Sequence, residues 1–172
     1  FILLGVQAAS DRGTAAVYVY LFVYTLLATG SFAVISTVGG RGDAAHGLDA
    51  YRGLARRQPV LAGAFTVLLL GQAGIPFTGG FVAKLGVLAA VGEGRTYWVA
   101  MVAMAAAAVA AFVYLRILVA MYLEDPDPAA DYRLEVPTGT GVVIGVACAG
   151  VLLIGLAPGF LLDIASDAIP VL

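Results

Sequence analysis

The run from Pro59 to Gly92 is too long and too apolar for an ordinary helix. As one continuous helix it would measure roughly 50 Å at about 1.5 Å per residue, whereas a bilayer core is about 30 Å thick and takes ~20 residues. The run must break. Its centre, LGQAGIPFTGGFVAKLGVL from Leu70 to Leu88, holds the breakers together: Gly71, Gly74, Pro76, Gly79 and Gly80. Proline lacks an N–H and crowds the preceding turn, and glycine leaves helical geometry cheaply. Two half-helices are therefore predicted, meeting over residues 74–80. The backbone groups freed there need protein or water as cover, because lipid satisfies none of them.

Lys84 follows that break and is the only lysine in the 172 residues. Counting back from Gly92 at ~1.5 Å per residue, it lies about 12 Å deep, near the membrane middle. Its stem is too short to carry the charge to an interface two turns away. A broken helix with one midplane lysine reads as ion-pathway machinery, in preference to a plain proline kink with a snorkelling side chain.

Composition places the chain in the same class. Hydrophobic residues make up 62% and charged residues 12%, with a mean hydropathy of +0.99; soluble domains carry about 25% charged residues. The expected fold is all-α and integral to the membrane, with the lipid bilayer as its surroundings. No basic stripe suits nucleic acid, one cysteine (Cys148) makes no disulfide framework, and the one histidine, His46, has no second metal ligand beside it. The expected spans are 1–10 (partial), 16–38, 59–92 (broken), 97–123 and 138–157, with a tail over 159–172. FILLGVQAAS reads as the last turns of a helix cut off upstream.

Within that frame, Asp11-Arg12-Gly13-Thr14 reads as a polar turn, and Tyr24, Thr25 and Ser31 put hydroxyls deep in the first full span. Asp49 to Arg57 reads as a short amphipathic helix on the membrane face, and Arg41-Gly42-Asp43 as a chance triplet. The alanine-rich stretch from Ala103 to Ala111 predicts a smooth helix packed inside the bundle, and Gly141 with Gly145 a packing pair. In the tail, Asp163, Ser166 and Asp167 share one helical face, while Phe160, Leu161, Ile164 and Ala168 share another, the pattern of an interfacial or docking helix. Besides Lys84, the candidate pathway residues are Tyr24, Thr25, Gln72, Thr78 and Arg116. For Arg116, two turns from the span's end, snorkelling and an ion-pair or water-path role both stay open.

Charge placement gives an orientation. Arg41, Arg52, Arg56, Arg57 and Arg133 fall on one side, and Arg12 and Arg95 on the other. The excess assigns the Gly39–Gln58 and Glu124–Pro137 loops to the cytoplasm and the C-terminus to the outside.

The string GLARRQPVLAGAFTVLLLGQAGIPFTGGFVAKLGVL, preceded by YLFVYTLLATGSFAVIS and followed by AFVYLRILVAMYL, resembles the discontinuous-helix region of the antiporter-like membrane subunits of respiratory complex I, closest to the subunit N branch. The resemblance covers essentially the whole chain. Its most specific part is A-G-I-P-x-T-x-G-F-x-x-K, here Ala73 to Lys84. It implies the C-terminal part of a fourteen-helix antiporter-like fold, with Lys84 as the central lysine of a proton half-channel. The paired glutamate and further lysines would lie on earlier helices. The resemblance also implies a subunit of a proton-translocating NADH–quinone oxidoreductase in a bacterial plasma membrane, beside other membrane-arm subunits. Flavin, iron–sulfur clusters and quinone are then expected in other subunits, with no cofactor or metal held here. A moving neighbouring charge would load or unload Lys84 in the low-dielectric bundle. Two other classes stay open: an Mrp-type cation/proton antiporter subunit, which shares this helix, and a structural membrane scaffold in which Lys84 pairs with a neighbouring helix.

Overall fold

A computed structural model of the chain describes residues 1–8, 10–40, 47–93, 97–126 and 134–167. The Arg41-Gly42-Asp43 triplet, His46, Arg95, Arg133 and Ala168 lie outside the described residues, as do the side chains of Ser166 and Asp167. Regular structure among the described residues is helical: α1 Ile2–Gln7, α2 Asp11–Gly39, a 3-10 turn Leu48–Tyr51, α3 Leu54–Arg57, α4 Pro59–Ala73, α5 Gly79–Glu93, α6 Tyr97–Leu123, α7 Thr138–Leu156 and α8 Gly159–Asp167. Helices α2, α6 and α7 are long and apolar enough to cross a membrane, whereas α4 and α5 are shorter apolar helices. Each of the short pair rises only about 22 Å at ~1.5 Å per residue, so neither reaches across a bilayer core alone.

Helix α2 is the central post. Val19, Val23, Leu27, Ser31, Val34 and Val38 recur every three or four residues and are all buried, which is the stripe a helix shows to a core. Phe65 and Leu68 of α4 and Ile144, Ala147 and Val151 of α7 join its apolar members in one cluster. At Gly30 a Cβ would press on Ala147 and on both methyls of Leu68, so the helices meet there at close range. The small-residue contact expected at Gly141 and Gly145 is displaced to this point, and Gly145 faces open space.

Four further expectations change. The Asp11–Thr14 segment is the first turn of α2, because the Ser10 hydroxyl accepts from the Gly13 N–H at 3.1 Å and caps the helix. The Asp49–Arg57 segment is two short pieces, since Gly53 between them takes a left-handed φ of 61°. Its N–H donates to the Ala120 carbonyl at 3.0 Å, which ties this segment to the end of α6. Arg52 and Arg56, counted above only for orientation, reach across to carboxylates of the next loop: Arg52 lies 3.0 Å from Glu124, and Arg56 pairs with Asp125. Finally, most of α6 is exposed among the described residues, the Ala103–Ala111 stretch included. Only Ala120 and Met121 of α6 are buried, because the helix touches its neighbours most closely at its loop-side end.

Candidate functional site

The break is built from two caps that meet. At the end of α4, Gly74 takes φ 84° and ψ 41°, a left-handed conformation open to glycine without a Cβ penalty. Its N–H donates to the carbonyls of Gly71 and Leu70, both at 3.0 Å, and the Ile75 N–H donates to Leu70 at 3.1 Å. This is a Schellman end, which satisfies two of the helix's last carbonyls. At the start of α5, the buried Thr78 is the N-cap: its hydroxyl accepts from the Phe81 N–H at 3.4 Å and donates to the Ile75 carbonyl at 2.7 Å. Between the caps, Phe77 holds a positive φ of 70° and Ile75, Pro76 and Phe77 are exposed.

Two carbonyls of α4, those of Gln72 and Ala73, remain for another donor. Lys84 supplies it. Its ammonium donates to Gln72 at 2.7 Å and to Ala73 at 2.9 Å. The reach follows from helix geometry, because side chains lean toward their own helix's N-terminus and so point Lys84 back at the break. A cation at a helix C-terminus is also favoured by the helix dipole. The Gln72 side chain fastens the same point to α2, donating to the Ser31 hydroxyl at 2.6 Å and to the Leu27 carbonyl at 3.4 Å.

Lys84 and Gln72 open on a cavity of about 190 Å³, with Tyr20 and Tyr24 of α2, Gly80 and Ala83 of α5, and Ala106, Ala110 and Tyr114 of α6 on its wall. The Phe1 ring lies 5.5 Å from the Lys84 nitrogen and stacks on Tyr20, which stacks on Tyr24. Of the residues singled out from the sequence, the structure brings together Lys84, Gln72, Tyr24 and Gly80. Thr25 is exposed and its hydroxyl donates to its own helix, to Leu21. Thr78 serves as the cap, and Arg116 is exposed on α6. Tyr20 and Tyr114 were missed. The i, i+4 spacing of Tyr20 and Tyr24 was a signal for the first; nothing in the sequence alone pairs Tyr114 with Lys84.

Residues 1–110, which include the break and Lys84, match the model of the NADH:quinone oxidoreductase/Mrp antiporter transmembrane family. The chain belongs to that family. Among its relatives, the chain is 42% identical over 171 residues to NADH-quinone oxidoreductase subunit N 3 of Streptomyces griseus, covering 98% of this chain and 30% of the relative. It is 37% identical to subunit N of Thioalkalivibrio sulfidiphilus, covering 98% of this chain and 35% of that one. In three dimensions it resembles a chain of respiratory complex I from Thermus thermophilus with bound aureothin, with a TM-score of 0.77 and 28% identity over 94% of this chain and 36% of the other. The chain thus spans about a third of the length of the curated relatives it matches. With its apolar helices, this family membership makes it part of a multi-pass membrane protein.

Proposed function

We propose that the chain is the C-terminal part of a proton-translocating membrane subunit of NADH–quinone oxidoreductase, and that Lys84 is the proton-carrying group of a half-channel. The observation that carries this reading is the docking of the lysine amine on two backbone carbonyls at the rim of a cavity. An ammonium offers three N–H donors and a neutral amine two. The two carbonyls therefore hold the nitrogen in either protonation state, leaving one proton free to leave without the side chain moving. The names of the relatives support the redox partner: NADH and quinone chemistry, with its flavin and iron–sulfur clusters, belongs on this reading to other subunits, and the chain sits among membrane-arm neighbours. The arginine excess supports cytoplasmic Gly39–Gln58 and Glu124–Pro137 loops and an outside C-terminus.

The test uses the full-length protein in its assembled complex, reconstituted in vesicles, with Lys84→Met. The rate of quinone-dependent proton pumping should fall about a hundredfold or more, the range that a positioned proton-transfer group contributes. Unchanged uptake would overturn the proposal. The capping geometry at Gln72 and Ala73 favours one rival, a purely structural lysine; under it, less complex would assemble but each assembled complex would pump normally. The family description also spans Mrp antiporters, and uptake driven by a cation gradient without quinone would favour that class.

A further inference from the structure

The Lys84 cavity has three phenols on its wall, and the mechanism above uses none of them. Tyr20 and Tyr24 come from α2, and their rings stack 6.0 Å apart. Tyr114 comes from α6, one turn beyond Ala110, which lines the same cavity. All three phenols line this one cavity, which opens on Lys84. They therefore form one cluster bridging the two helices that face Lys84. The remainder of the wall is apolar or backbone, so these hydroxyls, the Gln72 amide and the Lys84 amine are its polar groups. A space of about 190 Å³ exceeds the ~10–15 Å³ that one water centre occupies, and polar partners are present to hold several waters.

We infer that Tyr20, Tyr24 and Tyr114 form a hydroxyl relay that conducts protons to and from Lys84 through water in this cavity. The inference rests on the proton-carrying reading of Lys84. The transfer balances without an ionised phenol. The Lys84 ammonium gives its third proton to a cavity water, and that water passes one of its own protons to a lone pair of the Tyr24 oxygen. In the same step Tyr24 releases its original hydroxyl proton through a second cavity water to Tyr20 or Tyr114, and that phenol gives its own hydroxyl proton to a water at the cavity mouth, which carries it away. Each phenol gains one proton and loses one, and the neutral amine stays on the Gln72 and Ala73 carbonyls until it is reloaded. Phenylalanine at the same positions would keep the ring stack and lose only the oxygen.

The experiment compares three variants of the full-length protein in the assembled complex: the pair Tyr24→Phe with Tyr114→Phe, the control Tyr18→Phe, and Lys84→Met. Tyr18 is exposed on α2 and absent from the cavity wall. The rate of proton uptake is measured in vesicles, together with the quinone reductase rate in uncoupled vesicles and the amount of complex assembled. The expected result is a loss of about tenfold in the rate of proton pumping, beyond the protons consumed in forming quinol, for the tyrosine pair, less than the ~10²-fold a positioned proton-transfer group can supply, because water bridges part of the gap. Tyr18→Phe should pump fully and reduce quinone at the unmodified rate. If the pair assembles poorly, the single Tyr114→Phe variant is read in its place, with a smaller loss expected and none overturning the relay. Normal uptake in the tyrosine variants with loss in Lys84→Met would overturn the relay alone. Normal uptake in Lys84→Met would overturn both the relay and the reading beneath it.

Discussion

Replacing Gly80 by alanine tests how closely the two half-helices approach. A Cβ at Gly80 would overlap the Gly71 carbonyl and meet a methyl of Leu27 at 3.4 Å. The leucine can rotate away. The carbonyl cannot, because it belongs to the last turn of α4 and accepts from Gly74 in the Schellman end. The half-helices must then separate. Overpacking a core costs ~1–3 kcal/mol, and an immovable backbone obstacle puts Gly80→Ala near the top of that range. Gly80 is only the second residue of α5, so alanine recovers at most the ~1 kcal/mol that it gains over glycine in a helix interior. The net loss is roughly 2 kcal/mol, a factor of about 30 in the folded population at ~1.4 kcal/mol per tenfold. Gly63, in the middle of α4, is the control: a Cβ there meets nothing within 4 Å, so Gly63→Ala should be neutral or stabilise by up to about 1 kcal/mol. Equilibrium unfolding of the full-length protein in mixed detergent micelles measures both. Equal stabilities for the two variants would refute the close crossing.

Removing the Gln72 side-chain bridge should loosen the α4 end from α2: Gln72→Leu and Ser31→Ala should each cost about 1 kcal/mol, and the double variant should cost less than their sum in the same unfolding assay. Arg56→Ala should change stability by less than about 0.5 kcal/mol, because its pair with Asp125 is exposed. Sidedness is checked by cysteine labelling. An Asp49→Cys variant, whose position is 87% exposed, should react with an impermeant thiol reagent only from the cytoplasmic side, and labelling from outside intact cells would reverse the orientation.

The break was legible because its cause is local. A mid-run Pro76 flanked by glycines leaves a membrane helix few options, and a midplane lysine next to it stands out against an apolar background. Thr78 was read as a candidate pathway residue, whereas its place is that of the α5 N-cap, three residues before Phe81. Lys84 was read as a proton carrier or as a charge paired with a neighbouring helix. Its bond to the Gln72 and Ala73 carbonyls depends on α4 and α5 folding back into register, which no sequence window contains. For α6, an alanine face permits close packing but does not say which surface will be covered, and within this chain most of the helix stays exposed. The arginines of the Gly39–Gln58 loop were counted for topology, and their carboxylate partners lie some 70 positions along the chain, at Glu124 and Asp125. Tyr114 belongs with these, since only the folded arrangement of α2, α5 and α6 sets it beside Lys84.

The most direct measurement of the central claim is proton uptake by complexes carrying Lys84→Arg in the full-length protein. Arginine keeps the positive charge and supplies N–H donors for the Gln72 and Ala73 carbonyls, so the complex should assemble. Its guanidinium does not release a proton under these conditions. The rate of proton pumping, beyond the protons consumed in forming quinol, should therefore fall about a hundredfold or more, as in Lys84→Met, although the charge is retained. Pumping at the unmodified rate by the arginine variant would contradict the account and leave Lys84 as a helix cap alone.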